Sequence, residues 1–266
     1  MDKKVTIHDI AREAGVSAAT VSYIINNRPD KTISEETKKK VLQIVNLYNY
    51  KPGAFAKNLR AAPDSKLISV YMGKSGNLLY TAEFGYFVEN LHKVFPNDKY
   101  GLVLSGLPYR HLDNVDAIIA FNIDRDSFIE IGNLNYVPLI SVDCIVKDTL
   151  FFQITTDYKK LKSEADKYFN GDYEFITLLP ADVSIKEEIL STFKSVRFAE
   201  KMYDLHLINN GKNVLTDSKV IFDYLSGTDT KLLFPNKLAA DKCARILSCL
   251  DEAMKRIPFA VHNYEV

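Results

Sequence analysis

A glycine set between two short, apolar-striped segments constrains the start of this 266-residue chain more tightly than any other feature. The sequence runs Val5-Thr6-Ile7-His8-Asp9-Ile10-Ala11-Arg12-Glu13-Ala14, then Gly15-Val16-Ser17, then Ala18-Ala19-Thr20-Val21-Ser22-Tyr23-Ile24-Ile25-Asn26. Ile7, Ile10, Ala11 and Ala14 recur at helical spacing and make one apolar stripe. Thr6 is placed to cap that helix, with Asp9 as its capping-box partner. Gly15 supplies the left-handed conformation of a tight turn, Val16 fills the joint, and Ser17 caps a second helix whose inward residues are Val21, Ile24 and Ile25. Two helices joined in this way form a helix-turn-helix. The outward face of the second is then left for a partner surface such as a DNA major groove.

Ser34-Glu35-Glu36-Thr37 reads as the capped start of a third helix with acids in its first turn, and Val41, Ile44, Val45 and Leu47 give it a buried face. Next comes Tyr48-Asn49-Tyr50-Lys51-Pro52-Gly53-Ala54-Phe55-Ala56-Lys57-Asn58-Leu59-Arg60. A helix starting after Pro52 is too short to be stable alone and gains order when DNA and a partner segment pack on it. Across these sixty residues the chain resembles the LacI family of transcriptional regulators. The resemblance implies a DNA-binding headpiece over residues 1–50, a hinge helix and linker over 51–64, and a shortened α/β effector and dimerisation domain over 65–266. Charge agrees: residues 1–62 hold eleven Lys and Arg against six Asp and Glu, a net of +5. The remainder, 23 basic against 28 acidic, is −5. A basic headpiece suits phosphate contact, although Lys38 to Lys40 equally suit a merely solvated helix face.

The resemblance puts Ala18, Ala19 and Tyr23 at the start and outward face of the recognition helix, where the family reads base edges. Alanines offer no hydrogen bonds there and sense only shape or a thymine methyl. Tyr23 stands where an arginine is common, so bidentate guanine readout is lost. Its hydroxyl either reaches a base or phosphate or its ring packs on the neighbouring helix. Thr6, Ser17, Thr20, Ser22 and Asn26 are the phosphate candidates, being short polar groups beside helix N-termini. Thr20 and Ser22 equally suit local backbone hydrogen bonds. In the hinge, Leu59 falls where the family drives a leucine into the minor groove, Ala56 allows close approach, and Lys57 and Arg60 flank phosphates. Burial of Leu59 in the body is the alternative.

Strands and helices alternate after residue 65, which signals an α/β body. Strands are expected over 67–72, 100–104, 115–121 and 137–142, with a helix over 82–95. This resembles the first lobe of the family's effector domain, which is like a periplasmic sugar-binding protein. Residues 151–157 resemble the strand that crosses to the second lobe. That lobe is expected to hold a helix over 158–168, a strand over 174–179 and a helix over 185–193. Lys231-Leu232-Leu233-Phe234-Pro235-Asn236-Lys237 resembles the family's strand into an Asn-Asp turn; Asn236 matches and Lys237 departs. Asn236 and Asp143 are the effector-binding candidates, although Asn236 equally suits capping a helix over 238–253. Residues 256–264 resemble the passage that closes this part of the second lobe.

Between Leu104 and Val115 there is a short polar loop where the family inserts a helix, and the sequence reaches Val266 before the segments that complete both lobes. The fold class is therefore an all-helical headpiece on a reduced two-lobed α/β body. A two-lobed clamp controls DNA binding only through differential affinity for its ligand, so a trimmed body implies altered or absent ligand control. It also implies an exposed sheet edge for a second subunit to cover. The expected activity is that of a repressor. The expected partners are double-stranded operator DNA, a second copy in a homodimer, and a small-molecule effector such as a sugar or related metabolite. The competing reading is a ligand-independent dimer. No cofactor, metal or catalytic residue is expected, because the histidines His8, His92, His111, His206 and His262 are scattered and no phosphate loop or nucleophile elbow appears. Cys144, Cys243 and Cys249 read as buried free thiols. With no apolar run long enough to span a bilayer, a cytoplasmic location is expected.

Overall fold

The computed structural model describes residues 7–25, 33–48, 65–73, 77–112, 115–148, 150–208, 212–255 and 261–266. Thr6, Asn26 and the whole expected hinge, with Ala56, Lys57, Leu59 and Arg60, lie outside those residues.

Helices α1 (Ile7–Ala14), α2 (Ala18–Ile25) and α3 (Glu35–Leu47) form the headpiece. Ile10, Val21 and Val41 are fully buried at their meeting point, with Ala11, Ala14, Ile24 and Ile25 around them. Each buried aliphatic side chain contributes roughly 1.5–3 kcal/mol, which holds three helices that are too short to stand alone. Ser34 caps α3 as expected, accepting from the Thr37 amide at 3.2 Å. Leu47 does not join the buried face: it is 64% exposed, while Leu42, Ile44 and Val45 pack against the core around Val41.

In the body, β1 (Lys66–Met72), α4 (Leu78–Val94), β2 (Tyr100–Ser105), β3 (Ala117–Phe121), α5 (Arg125–Leu134), β4 (Leu139–Val142) and β5 (Phe152–Thr155) build the first lobe. The chain then crosses into α6 (Tyr158–Phe169), β6 (Glu174–Leu178), α7 (Val183–Thr192), β7 (Val196–Ala199), α8 (Met202–His206), β8 (Asn213–Leu215), α9 (Lys219–Leu225) and β9 (Lys231–Leu233). Helix α10 (Leu238–Lys255) and strand β10 (Asn263–Glu265) complete the described chain. The first-lobe sheet has the order β10-β5-β4-β3-β1-β2 and the second β7-β6-β8-β9, with every described pairing parallel.

Parallel strands need cover on both faces, and the residues supply it. Val70, Ile119 and Ile140 meet Phe84, Phe87 and Leu91 of α4 and Cys243, Ile246 and Leu250 of α10 on one face. Tyr71, Ile118 and Leu139 meet Phe128 and Ile131 of α5 on the other. Residues 256–260 lie outside the described residues, and β10 after them pairs with β5, in the first-lobe sheet and not in the second lobe where the 256–264 passage is expected. The apolar stripe of α10 is likewise buried against the first sheet. Strand β2 is an edge, and Leu104 and Leu107 beside it are 58% and 54% exposed.

Candidate nucleic-acid interface

The turn between α1 and α2 sets the recognition helix. Gly15 has φ +70°, and the Val16 amide donates to Ala11 O at 3.0 Å, which closes the turn. Ser17 caps α2, accepting from the Thr20 amide at 3.0 Å, and its hydroxyl lies 2.9 Å from that of Thr20. Both hydroxyls are therefore engaged locally, and contact with phosphate would add to those bonds. Asp9 pairs with Arg12 at 2.8 Å on the outer side of α1. With Val21, Ile24 and Ile25 turned into the core, the surface of α2 is carried by exposed Ser17 and Ala19 and by half-buried Thr20, Ser22 and Tyr23. Ala18 packs partly against the headpiece core, so it is less outward than Ala19.

Residues 6–53 match the model of bacterial regulatory proteins of the lacI family. Over these residues the headpiece is similar to the LacI family. Over 225 residues it is 27% identical to catabolite control protein A of Staphylococcus epidermidis, covering 77% of this chain and 66% of that protein. Over 174 residues it is 32% identical to the probable HTH-type transcriptional repressor ExuR of Bacillus subtilis, covering 62% of this chain and 51% of that protein. The matched part thus spans about half to two thirds of the length of these curated relatives. Among solved structures, a lac repressor dimer bound to operator and an anti-inducer is similar with a TM-score of 0.47 at 16% identity, over 99% of this chain and 96% of that one.

The α/β body carries a second candidate site where the carboxyl ends of both sheets face each other, the usual ligand position in open α/β folds. Asn122 and Asp143, both with positive φ (46° and 54°), end β3 and β4 there, opposite Thr177, Asp217 and Ser218 of the second lobe. The cleft holds a cavity of about 100 Å³. Lys242 of α10 lines this space: its Nζ lies 2.6 and 2.8 Å from the two carboxylate oxygens of Asp143. Burial raises the carboxyl pKa of Asp217, a group that Thr177 hydrogen-bonds, and Oδ1 of Asp217 is buried with no partner. Burial likewise raises Glu83, against the stabilising bonds it accepts from Ser218, Val220 and Lys219.

The two effector candidates are not brought together. Asp143 lines this interlobe cleft, whereas Asn236 lines a separate polar cavity of about 270 Å³ with Asp157, Lys160 and Lys237. Lys237 accordingly does not enter the cleft; the cation there is Lys242, five residues on. Sequence reasoning missed Lys242, Glu83 and Asp217. A signal for the first existed, since Lys242 sits on the stripe of α10 that includes Cys243, Ile246, Cys249 and Leu250, where a lysine needs a buried partner. Among the described residues no group of His, Cys, Asp and Glu is arranged to hold a metal, and no helix is long and apolar enough to cross a membrane.

Proposed function

We propose that the chain is a sequence-specific transcriptional repressor that acts as a homodimer in the cytoplasm, not as an enzyme. Two copies hold a pseudo-palindromic operator, each with α2 in a major groove and with paired hinge segments in the minor groove between them. The observation that carries this reading is the headpiece itself: α2 commits one side to the core around Ile10 and leaves Ser17, Ala19 and Tyr23 on its surface beside a turn fixed by Gly15. The +5 net charge of residues 1–62 supports it, because phosphate neutralisation supplies most of the sequence-independent affinity. Ser17, Thr20 and Ser22, with Thr6 and Asn26, take phosphate contacts; Ala18, Ala19 and Tyr23 face bases; Leu59 is the minor-groove wedge, with Ala56, Lys57 and Arg60 around it.

The cleft favours the second reading of control, in which no small molecule is required. A cavity of about 100 Å³ is below the roughly 300–1,000 Å³ of small-molecule sites, and the Lys242–Asp143 pair already engages one side of its polar wall, while Asp217 Oδ1 is left without a partner. If an effector enters, Asp143 is the residue through which it acts, at the expense of Lys242. Selection of bound duplexes from a random library by the purified chain tests the function. Recovery of a short palindrome supports the reading; recovery of no preferred sequence removes it.

A further inference from the structure

We propose that α4 is a built-in clasp that holds the interlobe cleft closed without any ligand. The first turns of this helix belong to the second lobe although the rest belongs to the first. Leu79 and Tyr80 are 0% and 3% exposed within the core formed by Ile176, Leu178 and Ile221, whereas Phe84, Phe87 and Leu91 are buried in the first-lobe core. One rigid helix is thus rooted on both sides of the cleft.

Asn77, which caps that helix, and Tyr80 and Glu83 on it bind across the gap at three-residue spacing, which puts neighbours in the series on adjoining parts of its surface. Asn77 Nδ2 donates to Glu200 O at 2.5 Å, and the Tyr80 hydroxyl donates to Leu179 O at 2.7 Å. Glu83 accepts from Ser218 Oγ at 2.6 Å and from the Lys219 and Val220 amides at 3.2 Å. Farther along the cleft Asn122 Oδ1 accepts from the Ala181 amide at 3.0 Å. Opening would withdraw Leu79 and Tyr80 from an apolar core and strip a buried carboxylate of its donors, so the open form lies well above the closed one. A ligand shifts such an equilibrium only by its preference for one form, and here the protein's own side chains already supply that preference. The consequence, that DNA affinity is not tuned through the cleft, rests on the regulator reading. The closure itself does not, and it is measured without DNA.

The test is the distance between spin labels in the full chain, attached at Glu130→Cys on α5 and Glu187→Cys on α7, both exposed positions in different lobes. The three native thiols are buried and do not take the label. The expected result without ligand is a single short distance, with an open population below about 10%. Glu83→Ala combined with Tyr80→Phe should add a longer distance in most molecules, while circular dichroism shows the helices intact. Should Glu83→Ala fail to fold, Tyr80→Phe with Asn77→Ala carries the same expectation. Two distances in the unaltered chain, or one unchanged short distance in the folded variants, would overturn the clasp. Failure of the chain to bind DNA would leave this result untouched and would remove only the function.

Discussion

Replacing Lys242 by methionine isolates the buried pair at the centre of the cleft. The side chains of Lys242 and Asp143 are 9% and 19% exposed, and the ammonium lies 2.6 Å from one carboxylate oxygen. Methionine keeps the length of the side chain and removes the cation, which leaves the Asp143 carboxylate buried near Asp217. Breaking a buried pair from one side costs about 3–5 kcal/mol. In a body of this size that corresponds to a fall in Tm of about 6–20 °C. Adding Asp143→Asn removes the orphaned charge and keeps a residue that tolerates the positive φ at that position, so most of the loss should return. Urea unfolding followed by circular dichroism closes the cycle, with an expected coupling of about 2 kcal/mol or more. A single variant that loses less than about 1 kcal/mol, or a double variant as damaged as the single one, would refute the assignment of Lys242 as the charge that makes this cleft tolerable.

Asp217 is an acid whose pKa is raised by folding, so it favours the native state below its unfolded value and costs stability as pH rises through the raised one. Asp217→Asn should therefore gain on the unaltered chain as pH rises above about 4, the ordinary carboxyl value; urea midpoints with a pH-independent difference would contradict this. Gly15→Ala forces a Cβ into φ +70° and should cost the headpiece about 1–2 kcal/mol, read as faster amide exchange in α1 and α2, with unchanged exchange as the opposing result. Burial pushes the Cys243 and Cys249 thiols up to about 12 and Cys144 higher still, so none should react with an aromatic disulfide reagent at neutral pH until urea unfolds the body. Prompt reaction of any one of them in the native chain would show that its cover opens.

The headpiece was legible almost residue by residue, because local rules decide it: a capping serine, a left-handed glycine and stripes at helical spacing. Leu47 was misplaced, since the drift of a helical stripe leaves its last member outside the contact, and Ala18, expected on the outward face, packs partly against the core. Most first-lobe strands were legible as short apolar runs. Helices α5, α8 and α9 and strands β7 and β8 were not, being short and set by packing against neighbours that no local window contains. The cleft was the least legible part. Glu83 and Lys242 come from helices 159 residues apart in number, and only the return of α10 to the first lobe brings Lys242 to Asp143. Family likeness pointed to Asn236 and Asp143; Asp143 lines the cleft, but the turn after β9 places Asn236, with Lys237, in a different cavity.

The central claim is that this headpiece reads a DNA sequence, and it is met most directly by titrating the chain onto the selected palindrome and onto a scrambled duplex at the same salt concentration. The account predicts at least about a thousandfold preference for the palindrome, reduced by Leu59→Ala. Equal affinity for the two duplexes, falling together as salt is raised, would mean that the headpiece binds phosphate alone and would contradict the account.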